Sequence, residues 1–318
     1  MTRVSAGVLL PEKLDRFARM RAPAKINLAL SIGPLRDDGF HEIATIFQAI
    51  SLFDEVEVKF RPSAVGRSMF EPQIQMTLEG PDLGPVEENL AWRAAFAFMD
   101  RTGQVGKVDI RLVKIIPAGA GLGGGSSDAA AVIRCLARLT DFTDENVLRE
   151  IASGIGSDVA FFLGGSPTAI GTGRGNRIES VQPLPERSIV LALPPVHVST
   201  RDAYGALSES RDETQSLALP TIGTDLTWEG LLDGGGVNDF QATVAALHES
   251  VAVSLSRLAE AGARITMLSG SGSAAFAVFD DSFGLPEIDV LCSELTVLLG
   301  WPVLSSVTLD HMPEVEVL

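Results

Sequence analysis

Tyrosine occurs once in 318 residues, cysteine twice, and lysine five times against twenty arginines. Two cysteines, Cys135 and Cys292, each inside an apolar segment, make no disulfide framework. They read as buried thiols of a reducing compartment, so the cytoplasm is the expected location. No uninterrupted apolar run of about 18 residues occurs, and no membrane span is expected. The N-terminal MTRVSAGVLLPEKLDRFARM has one short apolar patch, broken by PEKLDR. Lacking a proper apolar core and cleavage site, it reads as a loosely ordered prefix rather than a targeting signal. Positive charge is scarce: 25 Lys and Arg against 41 Asp and Glu leave a net charge of −16. That balance argues against general affinity for nucleic acid or anionic membranes. It does not oppose one anionic small molecule, because a few local donors outweigh a distant field. G-x-x-x-x-G-K-[ST] is absent, which excludes a P-loop, and G-x-S-x-G is absent, which leaves a serine hydrolase little support.

What is present describes a globular protein, with 46% apolar and 21% charged residues. The length exceeds one typical core, so two domains are expected. INLALSI (26–32), SLFDEVEVKF (51–60), QIQMTLEG (73–80) and VDIRLVKII (108–116) read as strands by period-two alternation. NLAWRAAFAFMD (89–100) and SSDAAAVIRCLARL (126–139) have helical spacing, with Ala129, Val132, Ile133, Leu136 and Leu139 on one stripe. Asp128 near that helix's start suits the helix dipole. Residues 144–153 read as a further helix stopped at Gly154. SIVLALP (188–194) reads as a buried strand and 205–236 as a long, weakly patterned connection. From 238 the order is helix, strand (RITML), tight SGSGS turn, strand (AAFAVFD), helix and strand (PVLSSV). The order fits helices on one side of a largely antiparallel sheet, an α+β class.

One stretch stands apart. IPAGAGLGGGSSDAAA (116–131) follows a strand and opens a helix, the arrangement that makes an anion site: free N–H groups of the first helical turn converge, and glycine lets a phosphate approach them. Gly119, Gly121 and Gly124 also match G-x-G-x-x-G, the dinucleotide fingerprint. The following TDENVLREIASGIG looks helical, however, where a second parallel strand ending in an acid is required. An oxidoreductase therefore rests on that coincidence alone.

PAGAGLGGGSSDAA resembles the phosphate-binding motif of the GHMP kinases, the superfamily of galacto-, homoserine, mevalonate and phosphomevalonate kinases. APAKINLALSIGPLRDDGFHEIATIFQAI (22–50), GSDVAFFLGG (156–165), NDFQ (238–241) and MLSGSGSAAFAVF (267–279) resemble, within it, the 4-diphosphocytidyl-2-C-methyl-D-erythritol kinase family. The likeness runs from about Arg21 to Val307. It implies a two-domain fold: a prefix at 1–20, an ATP-binding domain of ribosomal-protein-S5-domain-2-like type at 21–180, and a ferredoxin-like substrate domain at 181–318. It implies ATP and Mg²⁺ as cofactors and transfer of phosphate to the 2-hydroxyl of a small-molecule acceptor, 4-diphosphocytidyl-2-C-methyl-D-erythritol, in non-mevalonate isoprenoid synthesis. Two other readings stay open: another small-molecule kinase of mevalonate or homoserine type, and a non-catalytic nucleotide-binding protein on the same scaffold.

The resemblance assigns roles residue by residue. Pro117, Ala118, Gly119, Ala120, Gly121, Leu122, Gly123, Gly124 and Gly125 wrap the ATP phosphates. Ser126 and Ser127 add hydroxyls, with Ser126 equally readable as a helix cap. Asn89 and Lys114 align beside adenine and the phosphates. Asp158 is the general base; on its own, an aspartate after a Gly-Ser turn and before VAFFL reads more readily as an N-cap. Lys25 opens an apolar strand and would orient Asp158 and offset charge on the transferred group. By itself it reads as a lysine reaching out from a strand end. Phe40 and His41 would meet the cytosine by stacking and hydrogen bonding, with Asn27, Phe47 and Tyr204 facing the acceptor; Phe47 reads equally as core. Phe40 departs from the family's usual tyrosine, keeping the ring and losing the hydroxyl. Ser157 stands where alanine or threonine is common. No metal-ligating side chain is assigned.

Overall fold

The computed structural model describes residues 15–63, 72–211, 222–234, 236–280 and 283–318. Two long strands form its frame: β1 (Arg16–Leu35) and β2 (His41–Pro62), antiparallel along almost their whole length. The alternation over 26–32 thus belongs to a much longer strand, which starts at Arg16. β3 (Gln73–Glu79), β4 (Gly106–Val113), β5 (Thr168–Thr172), β6 (Arg177–Ser180) and the C-terminal β11 (Glu316–Val317) complete a seven-stranded sheet in the order β11-β1-β2-β4-β3. The C-terminal half of β2 pairs with β4, while its first half pairs with β5, which pairs with β6. β3 and β4 run parallel, and the other strand pairs described in this sheet are antiparallel.

Period two decides what each strand buries. Ala18, Met20 and Ala22 of β1, Val56, Val58 and Phe60 of β2, and Val108, Ile110 and Leu112 of β4 point into one core. That core is covered by α1 (Leu90–Thr102), α2 (Gly124–Thr140), α3 (Glu145–Ile155) and α4 (Val159–Leu163). Buried small residues, Ala91, Ala94 and Ala95 on α1 and Ala129, Ala130 and Ala131 on α2, allow these neighbouring helices and the sheet to pack closely. α3 continues through Gly154 to Ile155, because glycine tolerates a helical backbone; the extended Gly156 ends it. Cys135 and Cys292 are buried free thiols, as the sequence suggests.

Between Pro23 and Ala24 the β1–β2 register shifts. Even positions before the shift face the helices. Even positions after it, Ala24, Ile26 and Leu28, enter a second core shared with the other sheet. That sheet is β7 (Ser188–Ala192), β8 (Ile265–Leu268), β9 (Ala275–Val278) and β10 (Val303–Val307), ordered β10-β7-β9-β8 and antiparallel throughout. Ile189, Leu191, Phe276 and Val278 meet β1, whereas Val190, Ala192, Ala275 and Ala277 lie under α8 (Glu249–Glu260) and α9 (Leu285–Leu299). In the stretch expected to be a connection, α5 (Thr200–Ser210) and α6 (Trp228–Gly234) form. The Ser199 hydroxyl caps α5, and the burial of Leu207 and Trp228 supplies what the weak pattern hid. Residues 212–221 of that stretch lie outside the described residues. α7 (Gln241–Leu247) leads into α8. After β10 the chain crosses back: Leu309 N–H donates to Ala49, and Met312 joins the first core.

The glycine stretch is stapled at both ends by buried charge. Asp54 Oδ1 accepts from Ile115 N–H (2.6 Å) and Ile116 N–H (2.8 Å) where β4 ends. Lys114 donates to Asp54 and, at 2.8 Å, to Asp128, the fifth residue of α2. All three are buried, so Asp128 is an ion-pair partner and not the solvated dipole charge its position suggests. Burial pulls the Lys114 ammonium down, and the two carboxylates more than reverse it. Burial, with Asp54, raises the Asp128 carboxyl above its ordinary range while Lys114 pulls it down. Removing Lys114 leaves two buried carboxylates without a cation. Lys114→Met should therefore cost about 3–5 kcal/mol in urea unfolding; a loss below about 1 kcal/mol would show that the staple is not holding the loop.

Candidate active site

A cleft of about 240 Å³ opens where β1, the glycine loop, α4 and the 269–273 turn meet. Its floor is set by the register shift in β1. Odd residues before the shift, Phe17, Arg19 and Arg21, face solvent; Lys25 and Asn27 after it are turned inward and buried. Lys25 Nζ donates to Asn27 Oδ1 (2.7 Å), two residues on and on the same face. Asn27 Nδ2 donates to Thr45 Oγ1 (2.8 Å), which donates to the Ala29 carbonyl (2.7 Å). This chain fixes the amide orientation and aims the lysine. The Lys25 ammonium stands 3.6 Å from Asp158 Oδ2 and 5.8 Å from the Phe47 ring centroid. Burial lowers its pKa, and Asp158 works against that shift.

Asp158 sits at the start of α4 with helical φ and ψ, and its side chain makes no capping bond. The capping role that its sequence position invites is therefore not taken up. Its carboxylate is about one-third exposed, in the cleft, while Val159, Phe161 and Phe162 anchor the helix behind it. Phe47 is both things the sequence allowed. It is buried, stacked on Phe161 at 4.9 Å, and its ring lines the cleft.

The glycine loop faces this pair. Three of its carbonyls are already engaged: Leu122 accepts from Lys25 N–H (2.9 Å), Gly121 from Ser269 Oγ (2.9 Å) and Ala120 from Ala274 N–H (3.1 Å). Gly121 has φ +77°, and a Cβ there would lie 2.0 Å from the Ser269 carbonyl, so only glycine fits between the two loops. Gly123, at φ +72°, opens α2 directly over Lys25. The first N–H groups of this 17-residue helix have no intrahelical acceptors, and an anion at the loop meets them. Ser126 Oγ lies 3.7 Å from where a Cβ on Gly156 would be, beside the turn that carries Asp158. Ser127 is buried, its hydroxyl without a protein partner.

The remaining sequence candidates divide. Tyr204 lines the cleft, stacked on His41 (4.9 Å, 13°) and edge-on to Phe240 (4.9 Å). Burial, and then Asp158, push its hydroxyl up to about 12. His41 Nδ1 lies 2.9 Å from the Gly33 carbonyl. A carbonyl only accepts, so the neutral ring carries its proton there and leaves Nε2 as an acceptor. Phe40 and His41 are not among the residues lining the cleft; Phe40 is half exposed, with the Arg174 guanidinium 4.5 Å over its ring. Asn89 caps α1 through Ala91 N–H (2.9 Å). Lys114 lies beneath the loop, its Nζ 3.0 Å from a Cβ placed on Gly124, and its ammonium is held by Asp54 and Asp128.

Several residues of the cleft carry no role in the sequence reading: Thr45, Arg174, Thr200, Gly270 and Ser271. NDFQ and SGSGS were the available signals, and their function appears only in three dimensions. Asn238 Nδ2 donates to the Leu268 and Gly270 carbonyls, holding the SGSGS turn against the glycine loop.

Residues 89–166 match the GHMP kinases N terminal domain family. The curated 4-diphosphocytidyl-2-C-methyl-D-erythritol kinase of Solibacter usitatus is 42% identical over 271 residues, 84% of this chain and 82% of that protein. The enzyme of the same name from Desulfotalea psychrophila is 36% identical, over 88% and 92%. A crystal structure of 4-(cytidine 5'-diphospho)-2C-methyl-D-erythritol kinase superposes with a TM-score of 0.72 at 33% identity, covering 91% of this chain and 98% of that one. A homoserine kinase from Cytophaga hutchinsonii shares the fold at 16% identity, with a TM-score of 0.68 over 98% and 100% of the two chains. The two sheets, the helix layer and the glycine loop are thus the α+β architecture of the GHMP kinases, and the chain belongs to the 4-diphosphocytidyl-2-C-methyl-D-erythritol kinase family.

Proposed function

We propose that this protein transfers the γ-phosphoryl group of ATP to the 2-hydroxyl of 4-diphosphocytidyl-2-C-methyl-D-erythritol, giving the 2-phosphate and ADP in non-mevalonate isoprenoid synthesis. The observation that carries the reading is the Lys25–Asp158 pair, 3.6 Å apart in the cleft and facing a glycine loop with three carbonyls engaged elsewhere. The Asp158 carboxylate accepts the proton of the acceptor hydroxyl as its oxygen attacks the γ-phosphorus and the bond to ADP breaks. Lys25 holds the carboxylate in place, 3.6 Å away, and its charge offsets that on the moving phosphoryl group. Asn27 and Thr45 keep the ammonium aimed. The loop N–H groups and the α2 N-terminus hold the triphosphate, with Ser126 at its edge. The stacked His41–Tyr204 pair and the Phe40 ring offer the cytosine flat apolar faces and the His41 Nε2 acceptor.

Mg²⁺ fits the site as an ion carried mainly by phosphates. Among the described residues no group of three potential ligands converges, and the Asp158 carboxylate and Ser126 hydroxyl are hard oxygen donors beside the loop. When bound, the ion neutralises phosphate charge. No described helix is long and apolar enough to cross a membrane; together with two free thiols this supports a cytoplasmic location.

Presented with Mg·ATP and a panel of alcohols, the protein should release ADP with the cytidyl acceptor; turnover of mevalonate or homoserine instead would overturn the assignment. Asp158→Asn should lower turnover by about 10²–10⁴-fold while acceptor binding persists, and near-normal turnover would remove Asp158 as base. Lys25 must be charged to act, and burial lowers its pKa from 10.5. Activity should therefore fall as pH rises through a midpoint below 10.5. Plotting kcat/KM for the acceptor against pH tests this, because Lys25→Arg should carry the alkaline limb upward. An unmoved limb would detach it from Lys25.

A further inference from the structure

Two cations line the cleft among the described residues, and only one of them is committed. Lys25 is bound to Asn27 and paired with Asp158. Arg174, in the turn joining β5 to β6, has no carboxylate within ion-pair distance among the described residues; Asp38 only feels its charge from farther away. We propose that Arg174 is the residue that grips the diphosphate of the acceptor. This inference rests on the acceptor reading given above.

The turn is built to hold a side chain still. Gly173 and Gly175 flank Arg174 at φ +69° and +86°, the Gly173 carbonyl accepts from Ile43 N–H (2.7 Å), and Gly175 N–H donates to Thr172 (3.0 Å). The guanidinium lies 4.5 Å from the Phe40 ring centroid. Cation–π contact occupies a face of the guanidinium and leaves its N–H edge free, the edge that matches phosphate oxygens in a bidentate way. Phe40 therefore serves as the rest for the arginine.

Position gives the second argument. The acceptor's diphosphate is the covalent link between its base and its reacting polyol. His41 and Tyr204 mark the place for the base, and Asp158 marks the place for the hydroxyl. Arg174 lies on the same cleft wall, reaching the ring of the residue that precedes His41, while its neighbour Gly175 approaches Phe47. In a chain of net charge −16, a diphosphate requires a local cation, and Lys25 is already engaged.

The test separates diphosphate from base. Titration calorimetry would measure CDP and cytidine binding to the unaltered protein, Arg174→Met and Arg174→Lys. Loss of a charge-assisted contact should weaken CDP by about 10–100-fold in Arg174→Met, leave cytidine within about twofold, and be partly restored by lysine, with an unchanged melting temperature in both variants. Equal weakening of CDP and cytidine would make Arg174 a packing partner of the aromatic wall and overturn the proposal, as would unchanged CDP binding. A raised ATP Michaelis constant with CDP affinity intact would move Arg174 to the donor and overturn it too. Failure of the unaltered protein to bind CDP would instead sink the acceptor reading, and this assignment with it.

Discussion

Between Pro23 and Ala24 the pairing of β1 with β2 slips, and Lys25 points into the cleft because of it. A strand sends alternate residues to opposite faces. Continued without the slip, the alternation that turns Phe17, Arg19 and Arg21 away from the helix layer would turn Lys25 and Asn27 away from it as well, toward the second sheet. The irregularity also turns Ala24, Ile26 and Leu28 toward the second sheet, so one local feature both joins the two sheets and arms the cleft. Immediately after it, Lys25 N–H binds the Leu122 carbonyl, which locks the glycine loop to the strand carrying the ammonium.

Rigidity around that junction comes from buried polar groups with assigned partners. Asp54, Lys114 and Asp128 hold the loop from below, and the Ser269 hydroxyl and Ala274 N–H hold it from the second sheet. Each of these takes a carbonyl or a charge out of play on the far side of the loop. The N–H groups are what remains for a ligand. Phosphoryl transfer asks little covalent chemistry of a protein and much positioning, and this construction supplies positioning.

On the proposed reading the cleft divides its labour. Lys25 and Asp158 would handle the proton and the phosphoryl group, and the Tyr204–His41 stack with Arg174 over Phe40 would select the acceptor. Tyr204 comes from α5 while His41 comes from β2, so the stacked pair proposed to receive the base forms only when distant parts of the chain are docked.

Chain chemistry alone made the glycine loop legible, because five glycines between a strand and a helix have few other uses, and it made the strands legible through their alternation. PAKIN, DGFHE and GSDVAFF pointed to Lys25, His41 and Asp158 through resemblance. It could not show that Asp128 and Lys114 neutralise each other inside the protein, since Asp54, the third member, lies 60 residues away. Nor could it assign Arg174, which reads as one more turn arginine until folding sets it over Phe40. Composition and spacing determine which groups the molecule owns and which elements they ride on. Burial and register determine which way they face, and only the docked sheets decide that Lys25, two residues after a proline, is a buried, directed charge rather than one reaching into water.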